Sequence, residues 1–141
     1  FNVIQKSCAA RIALTNTSYD HATKLAAIKN LVENNQVRWP TVNWITTDSM
    51  ISTSQEIELL PFEEDRVAFL QYTSGSTSNP KGVIVSHGNL KHNLRMIIKG
   101  LDAGTDTVVV SWLPQYHDMG LIGSYLGAIY CGGCGYYMVS H

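Results

Sequence analysis

The segment Tyr72-Thr73-Ser74-Gly75-Ser76-Thr77-Ser78-Asn79-Pro80-Lys81-Gly82 stands apart from the rest of the 141-residue chain. Its Ser and Thr hydroxyls follow one another closely and each can donate a hydrogen bond. Gly75 and Gly82 let the backbone come close to a ligand with no Cβ in the way. Lys81 adds a compact positive charge. Together these suit a polyphosphate, which offers many oxygens, high negative charge and no apolar surface. The order of residues excludes a Walker loop, in which the lysine follows the glycine and the chain enters a helix. Here Lys81 precedes Gly82, and the chain runs on into Val83-Ile84-Val85. An apolar run from Arg66 to Tyr72 comes before. The loop Thr73–Lys81 is therefore expected between two strands, a hairpin-like pair with no helix dipole behind it. Side-chain hydroxyls and Lys81 must then carry more of the phosphate interaction.

A second informative stretch is Ser111-Trp112-Leu113-Pro114-Gln115-Tyr116-His117-Asp118-Met119-Gly120-Leu121-Ile122-Gly123. Pro114 ends a strand that runs from Thr107 to Trp112. Asp118 can accept from the first amides of a helix that reaches about Tyr130. His117 is thereby set at a helix N-terminus, where a carboxylate or a phosphate is favoured. On an α-helical wheel Gly120, Gly123, Ser124, Gly127 and Ala128 share one small-residue face. Such a face permits close packing of another element, or leaves room beside the helix for a long apolar ligand.

Working outward, Arg11 to Thr15 reads as a strand. A helix follows, with Asp20 as its expected cap and Leu25, Ile28, Leu31 and Val32 on one face; Asn34-Asn35 ends it. Val42 to Thr46 reads as a strand and Asp48 to Glu58 as a polar loop. After the phosphate loop, Leu90, Leu94, Ile97, Ile98 and Leu101 form an apolar helical stripe. Tyr136 to Val139 is the last strand. Strands alternating with helices give an α/β fold with a layered, mostly parallel sheet. The chain begins without methionine at Phe1 and stops after the apolar run Tyr136-Tyr137-Met138-Val139. Both ends are read as cuts through a larger domain, whose sheet would then leave edges and apolar surface exposed.

Composition narrows the function classes. Net charge is −1, with both signs scattered, so there is no basic stripe for a nucleic acid. Three cysteines make an odd count without framework spacing, which fits a reducing, cytoplasmic setting better than a disulfide scaffold. Cys131 and Cys134 have CxxC spacing but no second pair to complete a zinc site. His87 and His92 flank a helix start and are expected to be exposed. Trp39, Trp44 and the tyrosines are read as core. The longest apolar run, Met119 to Cys134, is broken by five glycines and is shorter than the ~18 residues a membrane span needs.

The string Leu70-Gln71-Tyr72-Thr73-Ser74-Gly75-Ser76-Thr77-Ser78-Asn79-Pro80-Lys81 resembles, at every position, the signature of the adenylate-forming (AMP-binding) superfamily. The segment Ser111 to Gly123 looks most like that of the fatty-acyl-AMP ligases. The resemblance is firm from about Arg66 to the end. It implies part of the large N-terminal adenylation domain across residues 1–141, without the C-terminal lid domain. It implies ATP and Mg²⁺ as cofactors, with Thr73, Ser74, Gly75, Ser76, Thr77 and Lys81 on the β- and γ-phosphates. His117 would lie beside the acyl carboxylate and α-phosphate, so His117 and Lys81 would be the catalytic pair. Gly120, Gly123 and Ser124 would line the substrate site, with Ser124 standing where the family pattern has glycine. No residue in this stretch is expected as a metal ligand. The partners implied are a fatty acid and the phosphopantetheine of an acyl carrier protein. An acyl-CoA synthetase and a non-catalytic adenylation-like module are the alternatives.

Overall fold

The computed structural model describes residues 1–33, 41–50, 61, 63–73 and 80–138. The chain divides into two units, one of residues 1–60 with 71–83 and the other of residues 61–70 with 84–141.

The first unit opens with helix α1, Asn2–Cys8, which has no side-chain cap and no buried residue. No element is expected there from the sequence. Strand β1 (Ile12–Thr15), helix α2 (Thr17–Glu33) and strand β2 (Asn43–Thr46) follow. β1 and β2 pair in parallel, with Ile12 opposite Asn43 and Thr15 opposite Thr46. A parallel pair needs a crossover, and α2 supplies it. The expected cap of α2 differs from the observed one. The Asn16 side chain accepts from the Tyr19 N–H at 2.7 Å. Asp20 lies inside the first turn and pairs with Lys24 at 2.6 Å. Asn16 stands one residue before the helix, where a short side-chain acceptor reaches the free amides. Leu25, expected on the buried face, is 67% exposed. The side chains of Ile28, Leu31 and Val32, the Asn34-Asn35 stop and Trp39 lie outside the described residues.

Strands β3 (Val67–Thr73) and β4 (Lys81–Ser86) form a two-stranded sheet. The His87 N–H donates to the Arg66 carbonyl at 3.0 Å, while Gly82 faces the Tyr72 ring. The two strands therefore run in opposite directions, as the hairpin-like reading expects.

In the second unit, helix α3 (His87–Leu101) has a reciprocal cap: the Asn89 N–H donates to Ser86 Oγ at 3.2 Å, and the Ser86 N–H donates to Asn89 Oδ1 at 3.0 Å. Its stripe is buried at Leu94 and half-buried at Leu90, Ile97 and Ile98, but Leu101 at the C-terminal end is exposed. Gly88 donates to the Glu64 carbonyl at 2.7 Å, and a Cβ there would stand 2.9 Å from that oxygen. Strand β5 (Val108–Ser111), a π-helix (Met119–Leu126), helix α4 (Gly127–Cys131) and strand β6 (Cys134–Tyr137) complete the unit. β5 and β6 pair in parallel, Val108 opposite Cys134 and Ser111 opposite Tyr137. β6 thus begins two residues before the expected start at Tyr136. α3 packs on both the π-helix and α4.

Apolar strand faces remain exposed, Ile12 and Leu14 on β1, Val108 and Val110 on β5. The tyrosines are less buried than expected; Tyr116 is 86% exposed and Tyr125, Tyr130 and Tyr136 are also exposed. Among the described residues no helix is long and apolar enough to cross a membrane.

Asp48 ties the end of β2 to the start of α2. Its carboxylate accepts from the Thr17 N–H at 2.9 and 3.0 Å and from the Thr17 hydroxyl at 2.9 Å. The Thr17 amide, with the hydroxyl adding to it, holds the Asp48 carboxyl below its ordinary value. A depressed folded-state pKa contributes stability that is present above the unfolded value near ~4 and is lost as pH falls through the folded one. Asp48→Ala is expected to lower the urea midpoint at pH 7 and to converge on the wild-type midpoint as pH drops below about 4. Urea titrations across that range check it; a gap independent of pH would contradict the assignment.

Candidate functional site

Two clusters carry the residues singled out from the sequence, one in each unit. In the first unit Thr73 is the last residue of β3 and Lys81 the first of β4. Both are exposed. Lys81 stands at a strand start. Ser74, Gly75, Ser76 and Thr77 lie outside the described residues. Between the two strands Gly82 meets the ring of Tyr72: a Cβ on residue 82 would stand 2.9 Å from Tyr72 Cζ.

The second cluster is built at the end of β5. Buried Ser111 accepts from the Leu113 N–H through its hydroxyl at 3.2 Å, which turns the chain ahead of Pro114. The Pro114 carbonyl then accepts from the His117 N–H at 3.0 Å. Asp118 caps the π-helix, accepting from the Met119 N–H at 2.8 Å. The same oxygen, Asp118 Oδ1, lies 2.7 Å from His117 Nδ1. The Met119 amide is 3.3 Å from that ring nitrogen. The amide's shorter bond goes to the carboxylate, so the His117–Asp118 contact is a hydrogen bond when Nδ1 carries the proton, and Nε2 is then the ring nitrogen left over. Sequence reasoning gave Asp118 only the capping role. Its adjacency to His117 was the available signal for the second one.

The helix after Asp118 differs from the expected α-helix. From Met119 to Leu126 it is wound as a π-helix, in which the N–H of each residue reaches back five positions. The Gly127 N–H accordingly reaches the Ile122 carbonyl. The wider turn breaks up the predicted small-residue face. Gly120 is buried against the chain before the helix, where a Cβ would stand 2.1 Å from the Pro114 carbonyl oxygen. Its smallness is thus accounted for by packing. Gly123 has nothing within 4 Å of an added Cβ. Ser124 is half-buried, and its carbonyl accepts from the Tyr137 hydroxyl at 3.3 Å.

Gly123 opens on a groove of about 740 Å³ between α3 and the π-helix. Val85, Leu90, Ile97 and Ile122 give it apolar walls, and Asn89, His92, Asn93 and Asp118 give it polar ones. His92 therefore faces the groove, a place its sequence context did not indicate. Of the four residues expected around the acyl group, Gly123 lines this groove, and His117 adjoins it through Asp118.

Cys131 ends α4 and Cys134 begins β6, with Gly132 at φ +72° and Gly133 making the turn between them. All three cysteines are free. Among the described residues no group of three His, Cys, Asp or Glu is placed to hold a metal ion.

Comparison with known proteins settles the class. The family model of AMP-binding enzymes matches residues 2–141. The chain belongs to that family. It is 51% identical over 74 residues to the medium-chain-fatty-acid–[acyl-carrier-protein] ligase TtuA of Teredinibacter turnerae, a match covering 52% of this chain and 12% of the relative. With JamA of Moorena producens, named for the same activity, it shares 32% over 124 residues, 87% of this chain and 20% of the relative. The fatty acyl-adenylate ligase of L. pneumophila, solved with acyl adenylate and pyrophosphate, superposes with a TM-score of 0.72 at 32% identity, over 99% of this chain and 22% of that one. The chain therefore spans about a fifth or less of these relatives' lengths.

The two glycines of the π-helix separate packing from space. Gly120→Ala drives a Cβ into the Pro114 carbonyl and should destabilise by about 1–3 kcal/mol, the usual cost of overpacking. Gly123→Ala meets open space and should hold or raise stability by up to ~1 kcal/mol, because alanine restricts the unfolded chain. Thermal melts of both variants check the contrast; equal shifts would show that the two positions are not packed differently.

Proposed function

We propose that this chain serves the ATP-dependent activation of a fatty acid to its acyl-adenylate, with release of pyrophosphate and later transfer of the acyl group to an acyl carrier protein in the cytoplasm. The observation that carries the reading is the groove beside the π-helix, apolar along Val85, Leu90, Ile97 and Ile122, with the His117–Asp118 pair next to it. A pocket of this size, apolar with a few polar groups at one place, suits a ligand with a charged head and an apolar tail. The named relatives support the substrate class.

In this mechanism the fatty carboxylate attacks the α-phosphate of ATP and pyrophosphate leaves. The carboxylate is already ionised at neutral pH, so no general base is required. The work left is positioning and charge neutralisation. Thr73, Ser74, Gly75, Ser76, Thr77 and Lys81 receive the β- and γ-phosphates. His117 donates or presents charge through Nε2 to the carboxylate and the α-phosphate, while Nδ1 stays bound to Asp118. Gly123 and Ser124 border the tail, and Gly120 shapes the entry. Mg²⁺ brought with ATP would supply further neutralisation of phosphate charge; no described residue is assigned to hold it.

The test uses the full-length protein with ATP, Mg²⁺ and a panel of fatty acids, with and without CoA, and identifies products by mass spectrometry. Acyl-AMP that persists in the presence of CoA is the expected result. Conversion to acyl-CoA would move the activity to a synthetase, and no adenylate from any acid would sink the reading. His117→Ala should lower kcat/KM for adenylate formation by roughly a hundredfold, the scale of losing one transition-state donor.

A further inference from the structure

Tyr72 lies outside the set of residues expected to touch the nucleotide, yet it has an unusual environment. Its hydroxyl is buried and, among the described residues, meets no hydrogen-bond partner. A phenol buried that way is less favourable than the phenylalanine that would fill the same space. The ring, by contrast, makes a close contact. Its Cζ, Cε1 and Oη would stand 2.9, 3.2 and 3.2 Å from a Cβ on residue 82, so the ring is seated directly on the backbone of Gly82. Tyr72 immediately precedes Thr73, and Gly82 immediately follows Lys81. The ring therefore bridges the ends of β3 and β4 at the point where the two phosphate-directed residues leave them.

The geometry points to Tyr72 as a positioning residue: its ring, packed on Gly82, sets the separation of Thr73 and Lys81 for a polyphosphate. This rests on the function proposed above. The contact is steric, so the ring is what matters and the hydroxyl is dispensable. A Cβ at position 82 would push the ring aside, and on this inference the two strand ends then lose their set separation. A misplacement of about 1 Å in a positioning group is worth up to about a hundredfold in rate.

The experiment takes the full-length protein and three variants, Tyr72→Phe, Tyr72→Leu and Gly82→Ala, each checked for folding by circular dichroism. Two quantities are read: the affinity for inorganic tripolyphosphate by calorimetry, and the KM for ATP and for the fatty acid separately. Tyr72→Leu and Gly82→Ala should each weaken tripolyphosphate binding and raise the KM for ATP by about tenfold or more, with the KM for the fatty acid unchanged. Tyr72→Phe should match the wild type in both and melt at a higher temperature. A general loss of structure would move both KM values together. Should Tyr72→Leu fail to fold, Gly82→Ala and Tyr72→Phe still decide. Wild-type affinity in Gly82→Ala overturns the inference, and so does a Tyr72→Phe loss as large as that of Tyr72→Leu. A wild type that makes no adenylate but whose tripolyphosphate binding falls in the Leu and Ala variants sinks the proposed reaction and leaves the positioning role standing. A wild type that binds no tripolyphosphate overturns the positioning role, and adenylate formation alone then decides the reaction.

Discussion

The Pro114 carbonyl oxygen occupies the place that a side chain at position 120 would take, 2.1 Å from a Cβ there, and the same carbonyl accepts the His117 N–H. One backbone group thus fixes both ends of the turn that carries the histidine. Proline at 114 ends the strand, since it cannot donate to a ladder. Glycine at 120 lets the returning chain lie against it. With both ends held, His117 and Asp118 are left at the outer side of the turn, and the helix must start at Asp118. The π winding then spreads the glycines over different surroundings, so that Gly120 and Gly127 are buried while Gly123 faces the groove. An α-helix from the same start would have stacked those positions on one face.

Polar side-chain contacts mark the start of three of the helices. Among the described residues the buried hydrophobic side chains are Leu94 and Ala128. Ser86 with Asn89 starts α3, Asn16 with Asp48 starts α2, and Asp118 starts the π-helix. Each cap satisfies amides that a helix leaves free, and each of these interactions is individually small. Their value here is placement. The same Asp48 carboxylate that caps α2 follows β2, so the crossover unit is held at its open end.

The features legible in the sequence were those that a single segment determines. The strand–helix–strand order predicts parallel pairing, and both crossover pairs have it. The α3 stripe follows from spacing alone and holds from Leu90 to Ile98. The strand stop at Pro114 and the cap at Asp118 are local chemistry. The features that escaped depend on contacts made elsewhere in the chain. Asp20 and Asn16 are both good caps by type, and Asn16 occupies the position because α2 starts a turn earlier. Leu25 and Leu101 keep the helical period but are left exposed. The π-helix has no composition of its own that marks it in the sequence. α1 has neither a capping side chain nor a buried face to announce it. Of the site, Thr73, Lys81 and His117 could be picked out by type and order, whereas the groove needed α3, and with it His92 and Asn93, to be seen.

Asp118 joins two requirements that are usually met by separate residues. A carboxylate at a helix start is stabilised by the free amides, and it accepts from Met119 at 2.8 Å. A histidine that must present one nitrogen outward needs its other nitrogen held, and Asp118 Oδ1 stands 2.7 Å from Nδ1. Because one oxygen serves both, the direction of the imidazole is tied to the direction of the first turn. Any change that rotates the start of the π-helix also turns Nε2 relative to the groove. The His117–Asp118 contact itself contributes little to stability, since both side chains are well exposed. Its effect is on orientation, and it extends the reach of the Pro114–Gly120 contact from the backbone to the side chain that would face a substrate.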